Sequence, residues 1–201
     1  HYNNWEWLFC RISILAEKKN FKVIGFDTDK KKIFSLQNNK NYISGYDNEI
    51  KKMRINKYFF PTFDFSRLSE CEYIIICVPT PLKQNKPNLI YIENAFKDIS
   101  KHLKKNQTII LESTTYPGTT TEMEFKYLKP KNIKYYLAYS PERVNPSDTL
   151  RETCNTTKII GADKKFSLLK ARKFYSKIFK KIALTNSTKK AEVSKLYENI
   201  Y

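Results

Sequence analysis

The chain has 201 residues and a formal net charge of +17, from 37 Lys and Arg against 20 Asp and Glu. A hydrophobic share of 41% suffices for a buried core, which excludes wholesale disorder, and the length allows one full domain with the start of a second. No run approaches the ~18 apolar residues of a membrane span, and no segment resembles a cleavable signal peptide, so we expect a cytoplasmic protein without a membrane partner.

Strand-like and helix-like segments alternate along the chain. Short apolar runs predict strands at residues 22–27, 58–60, 73–78, 108–111, 135–139, 158–160 and 182–185. Apolar residues at helical spacing predict helices at residues 30–37, 91–103, 119–128, 167–179 and from 187 onward. Strands that alternate with helices of this length indicate parallel βαβ units, so the fold class is α/β with a doubly wound parallel sheet.

The positive charge has two interpretations. A basic groove would bind nucleic acid, but Lys, Asn, Ile, Tyr and Phe, which have A- and T-rich codons, are all abundant, so the base composition of the gene can supply the lysines. The lysines also form scattered pairs and no single stripe. We therefore favour a solvated basic surface and expect no nucleic-acid partner.

Distinctive polar strings follow the predicted strands. Ligands of a doubly wound sheet bind beyond the carboxyl ends of its strands. Asp27 ends the first strand, where a carboxylate can accept both ribose hydroxyls of a nicotinamide-adenine dinucleotide or can cap the next helix; the residues alone leave both open. Thr80 and Thr114 could line a ligand or cap a turn, and Glu142 could serve a site or the first turn of a helix.

Five strings carry a family resemblance: VIGFD, CVPTP, ESTTYPGTT, YSPERV and AEVSKLYEN. In this order they resemble the UDP-glucose/GDP-mannose dehydrogenase family, whose members are nucleotide-sugar 6-dehydrogenases, from about residue 12 to residue 201. The resemblance implies a Rossmann-type NAD-binding domain, NAD as cofactor, a UDP-sugar substrate, and the start of the long helix that pairs a homodimer. The strings ESTTYPGTT and SPERV are most similar to those of the branch that oxidises UDP-N-acetylglucosamine. UDP-glucose and UDP-N-acetylmannosamine are the alternative substrates.

The family oxidises the 6-hydroxymethyl group of the sugar to a carboxylate for surface polysaccharides, with two NAD+ and a covalent intermediate on a cysteine. The resemblance implies that Asp27 holds the adenosine ribose. It implies that Thr80 and Thr114 line the dinucleotide, with Thr114 also near the reacting centre. Glu142 would contact the cofactor and the active-site water or the sugar, and Arg143 would meet a sugar or phosphate oxygen or form a surface salt bridge.

Lys195 and Asn199 lie four residues apart in a predicted helix and so share one face. A lysine beside an amide can hydrogen-bond an alkoxide or hold a water against a carbonyl. The family has its catalytic Lys and Asn in the same K-L-x-x-N string, which implies that role here; a solvated face of a Lys-rich helix is the alternative.

Two family features are missing from the chain. The family's catalytic cysteine stands in a glycine-rich string of the later UDP-sugar-binding half, and none of Cys10, Cys71, Cys77 and Cys154 is in such a string. No pair of these cysteines has the spacing of a metal site either, and we expect no bound metal. We therefore expect a fragment that lacks the sugar-binding domain and is inactive by itself.

The G-x-G-x-x-G loop, which lets bare backbone N–H groups approach a pyrophosphate, is also missing. Trp5, Glu6 and Trp7 stand there, and their codons read one base later give Gly, then Asn or Ser, then Gly. Trp5 lies 22 residues before Asp27, near the ~20 expected between such a loop and its ribose acid. We hypothesise an out-of-frame segment at residues 1–11, an NAD-binding domain at 12–186 and an inter-domain helix from 187 to 201. The alternative to a frameshift is a chance resemblance of the shifted codons to the glycine loop. The alternative to an enzyme is a non-catalytic remnant of the fold or a nucleic-acid-binding module.

Overall fold

The computed structural model describes residues 12–38, 40, 58–83, 86–142 and 150–198. Two compact units divide the chain, the first up to Arg67 and the second from Leu68. Residues 1–11 are outside the described ranges, and so are Arg143 and Asn199. The expectations for the glycine-loop segment and for those two side chains therefore stay predictions.

The first unit contains α1 (residues 12–17), β1 (Val23–Phe26), α2 (Lys30–Gln37) and β2 (Phe59–Thr62). The two strands pair in parallel, with Val23 opposite Phe59. Helix α2 begins where the sequence predicted because Asp29 caps it, accepting the backbone N–H groups of Lys31 and Lys32 at 2.9 and 3.4 Å. A 3₁₀ helix, Phe65–Glu70, leads from this unit into the next.

The second unit is built on a five-stranded sheet with helices on its connections. In chain order the strands of this sheet are β3 (Tyr73–Ile76), β6 (Thr108–Leu111), β7 (Tyr136–Tyr139), β8 (Thr157–Gly161) and β9 (Lys181–Thr185), and they are neighbours in that same order. A small antiparallel hairpin, β4 (Leu82–Lys83) and β5 (Lys86–Pro87), follows β3. The helices are α3 (Ile90–His102), α4 (Thr119–Met123), α5 (Leu150–Asn155), α6 (Lys165–Tyr175) and α7 (Thr188–Glu198).

Most predicted elements are confirmed within a few residues. Helix α3 buries Ile92, Phe96 and Ile99, the spacing that identified it in the sequence. The predicted helix at 119–128 is α-helical only in α4; it continues as a π-helix, Glu124–Leu128, and then a 3₁₀ turn. Helix α5 was not predicted, because six residues give too short a pattern to recognise.

The sheet departs from the fully parallel prediction at one place. Strands β3, β6 and β7 run parallel, and β8 and β9 are parallel to each other, but β7 meets β8 antiparallel through a single register pair, Tyr139 opposite Gly161. The amino end of β8 therefore lies at the edge where β3, β6 and β7 have their carboxyl ends. The α/β class with a parallel sheet is confirmed, and the direction of its last two strands is corrected.

Helix α7 packs closely on β8. A Cβ atom at Gly161 would lie 2.5 Å from the backbone oxygen of Ser187 and 2.6 Å from Cβ of Ala191, so only glycine fits there. Asp163 caps the helix: it accepts the Thr188 N–H at 3.2 Å and the Thr188 hydroxyl at 2.8 Å. Among the described helices, none is long and apolar enough to cross a membrane.

Candidate functional site

A reciprocal hydrogen-bond pair ties the ends of β3 and β6 together. The Val78 N–H donates to the Ser113 hydroxyl oxygen at 2.9 Å, and that hydroxyl donates to the Val78 carbonyl at 2.8 Å. Ser113 is buried, so this exchange fixes the relative position of the two strings that follow the strands.

Thr80 and Thr114 follow these strand ends. Thr80 is half-buried and Thr114 is exposed. Neither hydroxyl makes a hydrogen bond within the described part of the chain, whereas the adjacent Thr115 bonds the Thr119 hydroxyl at 2.6 Å. Within the described residues, neither Thr80 nor Thr114 therefore fills the capping role that the sequence left open for it.

Asp27 ends β1 of the first unit, and its carboxylate is half-buried. Its Oδ1 atom accepts the Asp29 N–H at 2.8 Å, while Asp29 and not Asp27 caps α2. Among the described residues no hydrogen bond reaches Oδ2 of Asp27. A carboxylate held in place through one oxygen, with the other open, suits the capture of ribose hydroxyls.

Glu192 joins α7 to the loop that follows β6. Its carboxylate is fully buried and accepts the Gly118 N–H at 2.5 Å, the Thr120 N–H at 2.9 Å and the Thr120 hydroxyl at 2.6 Å. Gly118 has φ +104°, a left-handed conformation that favours glycine and turns its N–H toward α7. Burial raises the pKa of Glu192, although these donors oppose the change.

Lys195 lies one turn after Glu192 in α7 and is half-buried. The docking of Glu192 therefore also sets the position of the turn that carries Lys195 relative to the Thr114–Gly118 loop. The helical prediction for this segment is confirmed, and the catalytic role of Lys195 stays a prediction.

A charged cluster lies at the same edge of the sheet, formed by the buried Glu112, Lys158 and Tyr175 and the half-buried Cys77. The Lys158 ammonium is 2.9 Å from Oε1 of Glu112, the Tyr175 hydroxyl donates to the same oxygen, and the Cys77 thiol donates to Oε2 at 3.6 Å. Removal from water and then the nearby Glu112 carboxylate raise the pKa of Cys77 well above its usual value, so the thiol stays protonated. A thiol that stays protonated is a poor nucleophile.

Glu142 pairs with this cluster from the end of β7. Its Oε2 atom lies 3.5 Å from the Lys158 ammonium, and its side chain is 18% exposed. Continuing the β7–β8 register past Tyr139 sets residue 142 opposite residue 158, which explains the contact.

Sequence reasoning missed Glu112, Lys158, Tyr175 and Glu192 as members of the site. Glu112 follows a strand that the sequence predicted. Lys158 lies two residues before Ile160 in strand β8, so both side chains are on the same buried face, and this spacing was the signal for a buried charge. Tyr175 lies 63 residues from its hydrogen-bond partner Glu112, and Glu192 lies 72 residues from its partner Thr120, so no local sequence pattern could identify them.

Each unit carries groups of a kind that a dinucleotide can use. In the first unit, the Oδ2 atom of Asp27, which accepts no hydrogen bond from the described residues, suits a ribose diol. In the second unit, the Thr80 and Thr114 hydroxyls, which make no hydrogen bond to the described residues, suit the polar groups of a nicotinamide nucleotide. The expected pyrophosphate loop belongs to residues outside the described ranges.

Comparison with known families gives one assignment. The model of the UDP-glucose/GDP-mannose dehydrogenase family, NAD binding domain, matches residues 10–182. The match includes the strand ends that carry Asp27, Thr80, Thr114 and Glu142.

Individual relatives agree with this assignment. The chain is 31% identical over 193 residues to the UDP-N-acetyl-D-glucosamine 6-dehydrogenase of Salmonella typhi, covering 90% of this chain and 44% of that protein. It is 32% identical over 191 residues to the UDP-N-acetyl-D-mannosamine dehydrogenase of Methanocaldococcus jannaschii, covering 91% and 43%. The solved UDP-D-ManNAc dehydrogenase of Pyrococcus horikoshii superposes with a TM-score of 0.87 at 29% identity, over 96% of this chain and 47% of that one. The chain thus spans less than half the length of these proteins.

Proposed function

Since the chain belongs to the UDP-glucose/GDP-mannose dehydrogenase family and matches its NAD-binding domain, we propose that it is the cofactor-binding part of an NAD-dependent UDP-sugar 6-dehydrogenase. The reaction would oxidise the 6-hydroxymethyl group of a UDP-N-acetylhexosamine to a carboxylate. The observation that carries the proposal is that the Thr80 and Thr114 hydroxyls, which make no hydrogen bond to the described residues, follow strand ends that Ser113 holds together.

NAD+ would supply the hydride acceptor when bound, and the chain's own groups would bind and orient it. Asp27 would accept hydrogen bonds from the adenosine ribose through Oδ2, because Oδ1 already holds the Asp29 N–H. Thr80 and Thr114 would donate to or accept from the nicotinamide nucleotide. Among the described residues, no hydrogen bond would have to break for Asp27 Oδ2, Thr80 or Thr114 to make its contact.

The remaining site residues would act on the sugar. Glu142 would contact the cofactor and would also hold a water or a sugar hydroxyl at its carboxylate and move a proton there, because its side chain is 18% exposed at the cofactor end of the sheet. Lys195 would hydrogen-bond the developing alkoxide, with Asn199 next to it on the same helix face. The nucleophilic cysteine of the family reaction has no counterpart among the four cysteines of this chain.

We propose UDP-N-acetylglucosamine as the sugar nucleotide. Support comes from the ESTTYPGTT and SPERV wording and from relatives named for UDP-N-acetyl-D-glucosamine and UDP-N-acetyl-D-mannosamine, which favour an N-acetylated sugar over UDP-glucose. The proposal also includes a cytoplasmic enzyme that pairs as a homodimer through the helix beginning near Ser187, with no nucleic-acid partner.

The test is calorimetric titration of NAD+ into the 201-residue chain, its Asp27→Asn variant and the control Asp98→Asn. Asp98 forms an exposed ion pair with Lys101 at 2.7 Å, so the control removes a carboxylate from the surface. We expect NAD+ to bind, and Asp27→Asn to weaken binding about tenfold, the effect of losing a charged hydrogen-bond acceptor. Equal affinities of the two variants would contradict the proposal. So would the absence of NAD+ binding by a parent chain whose circular dichroism spectrum is that of a folded protein.

A parallel titration uses labelled duplex DNA at several salt concentrations. Binding that weakens steeply with salt, together with no response to NAD+, would favour the nucleic-acid alternative.

A further inference from the structure

Lys158 is a lysine in the interior of the protein, where an unpaired charge would be costly. Its side chain is 3% exposed and lies in strand β8, two residues before the buried Ile160. Burying an ammonium group costs several kcal/mol unless good partners surround it. The antiparallel direction of β8 supplies these partners, because it brings Lys158 to the carboxyl ends of β6 and β7.

The partners of Lys158 are not equivalent. Glu112 is fully buried and already accepts from Tyr175 and Cys77, so its carboxylate is satisfied within the cluster. The ammonium group also reaches Glu142 at 3.5 Å and the Pro141 carbonyl at 3.4 Å. Lys158 thus connects the buried Glu112 to a carboxylate that is partly open to ligands.

The charges of the cluster support a permanent cation. Burial by itself would lower the pKa of Lys158, but the Glu112 and Glu142 carboxylates raise it, and the net direction is upward. Tyr175 stays neutral because burial and the Glu112 carboxylate raise its pKa well above the usual value. One ammonium therefore faces two carboxylates, a thiol and a phenol, and of the two carboxylates only that of Glu142 is partly exposed.

We propose that Lys158 is a positioning residue, which holds the Glu142 carboxylate in place at the cofactor end of the sheet. It acts through Glu142 and touches neither cofactor nor sugar. The inference rests on the proposed function for the role of Glu142, while the contact itself stands on the geometry. Without the ammonium group, the partly exposed carboxylate would lose a cationic partner that restricts its rotamers.

The first arm of the test observes the Lys158 ammonium by ¹⁵N NMR in the 201-residue chain. Glu142→Gln should move the ammonium resonance and lower the pKa of Lys158. The control Glu93→Gln removes a carboxylate from an exposed pair with Lys126 and should leave the Lys158 signal unchanged. An unmoved Lys158 signal in Glu142→Gln would overturn the proposal.

The second arm measures NAD+ affinity in a double-mutant cycle. Lys158→Met by itself would leave Glu112 buried and uncompensated, so the lysine is removed together with that charge, as Glu112→Gln with Lys158→Met. We expect this variant and Glu142→Gln each to lose about fivefold in affinity, the factor given by a charge interaction of about 1 kcal/mol in a wet site. Combining all three substitutions should cost no more than Glu142→Gln alone.

The outcomes separate a positioning role from a structural one. A purely structural Lys158 would give losses that multiply, which would overturn the proposal, as would an unchanged affinity in both variants. Lys158→Arg keeps the charge and should bind NAD+ as the parent chain does. If the parent chain binds no NAD+ while Glu142→Gln still moves the Lys158 signal, the proposed function fails and the contact is retained.

Discussion

Glu192 accepts the backbone N–H of Gly118 at 2.5 Å from a position 74 residues further along the chain. The same carboxylate accepts the N–H and hydroxyl of Thr120, so one side chain of α7 satisfies the start of α4. Ordinary helices take their cap from the residue before the first turn. Here the cap comes from a distant helix, and it joins two segments that both carry proposed site residues.

Glu192→Gln should therefore destabilise the second unit. The amide can accept through one oxygen only, and its NH₂ group would face an N–H donor, so we expect a loss of about 1–3 kcal/mol in the free energy of unfolding. Urea denaturation measures it, and amide exchange at Gly118 and Thr120 should accelerate. Glu122→Gln is the control, because Glu122 is exposed and, among the described side chains, accepts a hydrogen bond from the Tyr116 hydroxyl alone, at 2.9 Å. Equal midpoints for the two variants would contradict the capping role.

The burial of Glu192 should also make the stability of the protein depend on pH. The pKa of Glu192 is raised in the folded protein, so folding favours the protonated carboxyl, and this contribution is largest below the ordinary value of 4.5. It is lost as the pH rises above 4.5 through the raised pKa. The stability of the parent chain minus that of Glu192→Gln should thus fall over this window. A difference that grows with pH would show that the carboxylate is favoured in the folded state.

Two glycines should respond to substitution for different reasons. Gly118 has open space around it and a φ of +104°, so backbone strain decides: Gly118→Ala should cost about 1–2 kcal/mol and Gly118→Asn less. At Gly161 steric contact determines the loss of stability, because a Cβ would lie 2.5 Å from the Ser187 backbone oxygen at the start of α7. Substitution by Ala or Asn should each lower the free energy of unfolding by about 1–3 kcal/mol or more. Thermal unfolding of the four variants measures this; a Gly161→Asn variant as stable as Gly118→Asn would refute the close packing of α7.

The hypothesis for residues 1–11 predicts a gain of function. Replacing Trp5 and Trp7 together by glycine restores a G-x-G string 22 residues before Asp27. We expect NAD+ affinity to rise about tenfold, because bare backbone can then approach the pyrophosphate. The matched control replaces both by alanine, which removes the indoles but keeps a Cβ; equal affinities of the Gly and Ala variants would mean that bulk alone was the obstacle.

The sequence predicted the strands and most helices because their signals are local. The β-branched run at Tyr73–Ile76 and the helical spacing of Ile92, Phe96 and Ile99 each identify an element without knowledge of the rest. The carboxyl ends of β1, β3, β6 and β7 could be identified for the same reason.

The charged cluster could not be predicted in this way. Whether a strand runs parallel or antiparallel to its neighbour depends on the path of the connection, and the alternation of strands and helices suggested parallel throughout. With β8 parallel, Lys158 would lie at the opposite edge from Glu112 and Glu142. Its position became visible only with the observed register of Tyr139 and Gly161.

Strands β7 and β8 are joined by less backbone pairing than β8 and β9. A five-residue ladder joins β8 to β9, but a single register pair joins β8 to β7, so side chains supplement the backbone there. The Ser140 hydroxyl donates to the Ile159 carbonyl at 2.7 Å, and the Lys158 ammonium reaches back to Pro141. Cohesion of the sheet and the chemistry of its edge thus depend on the same polar groups. A substitution that removes one of these polar groups would therefore weaken the joint between the two halves of the sheet as well as the proposed position of Glu142.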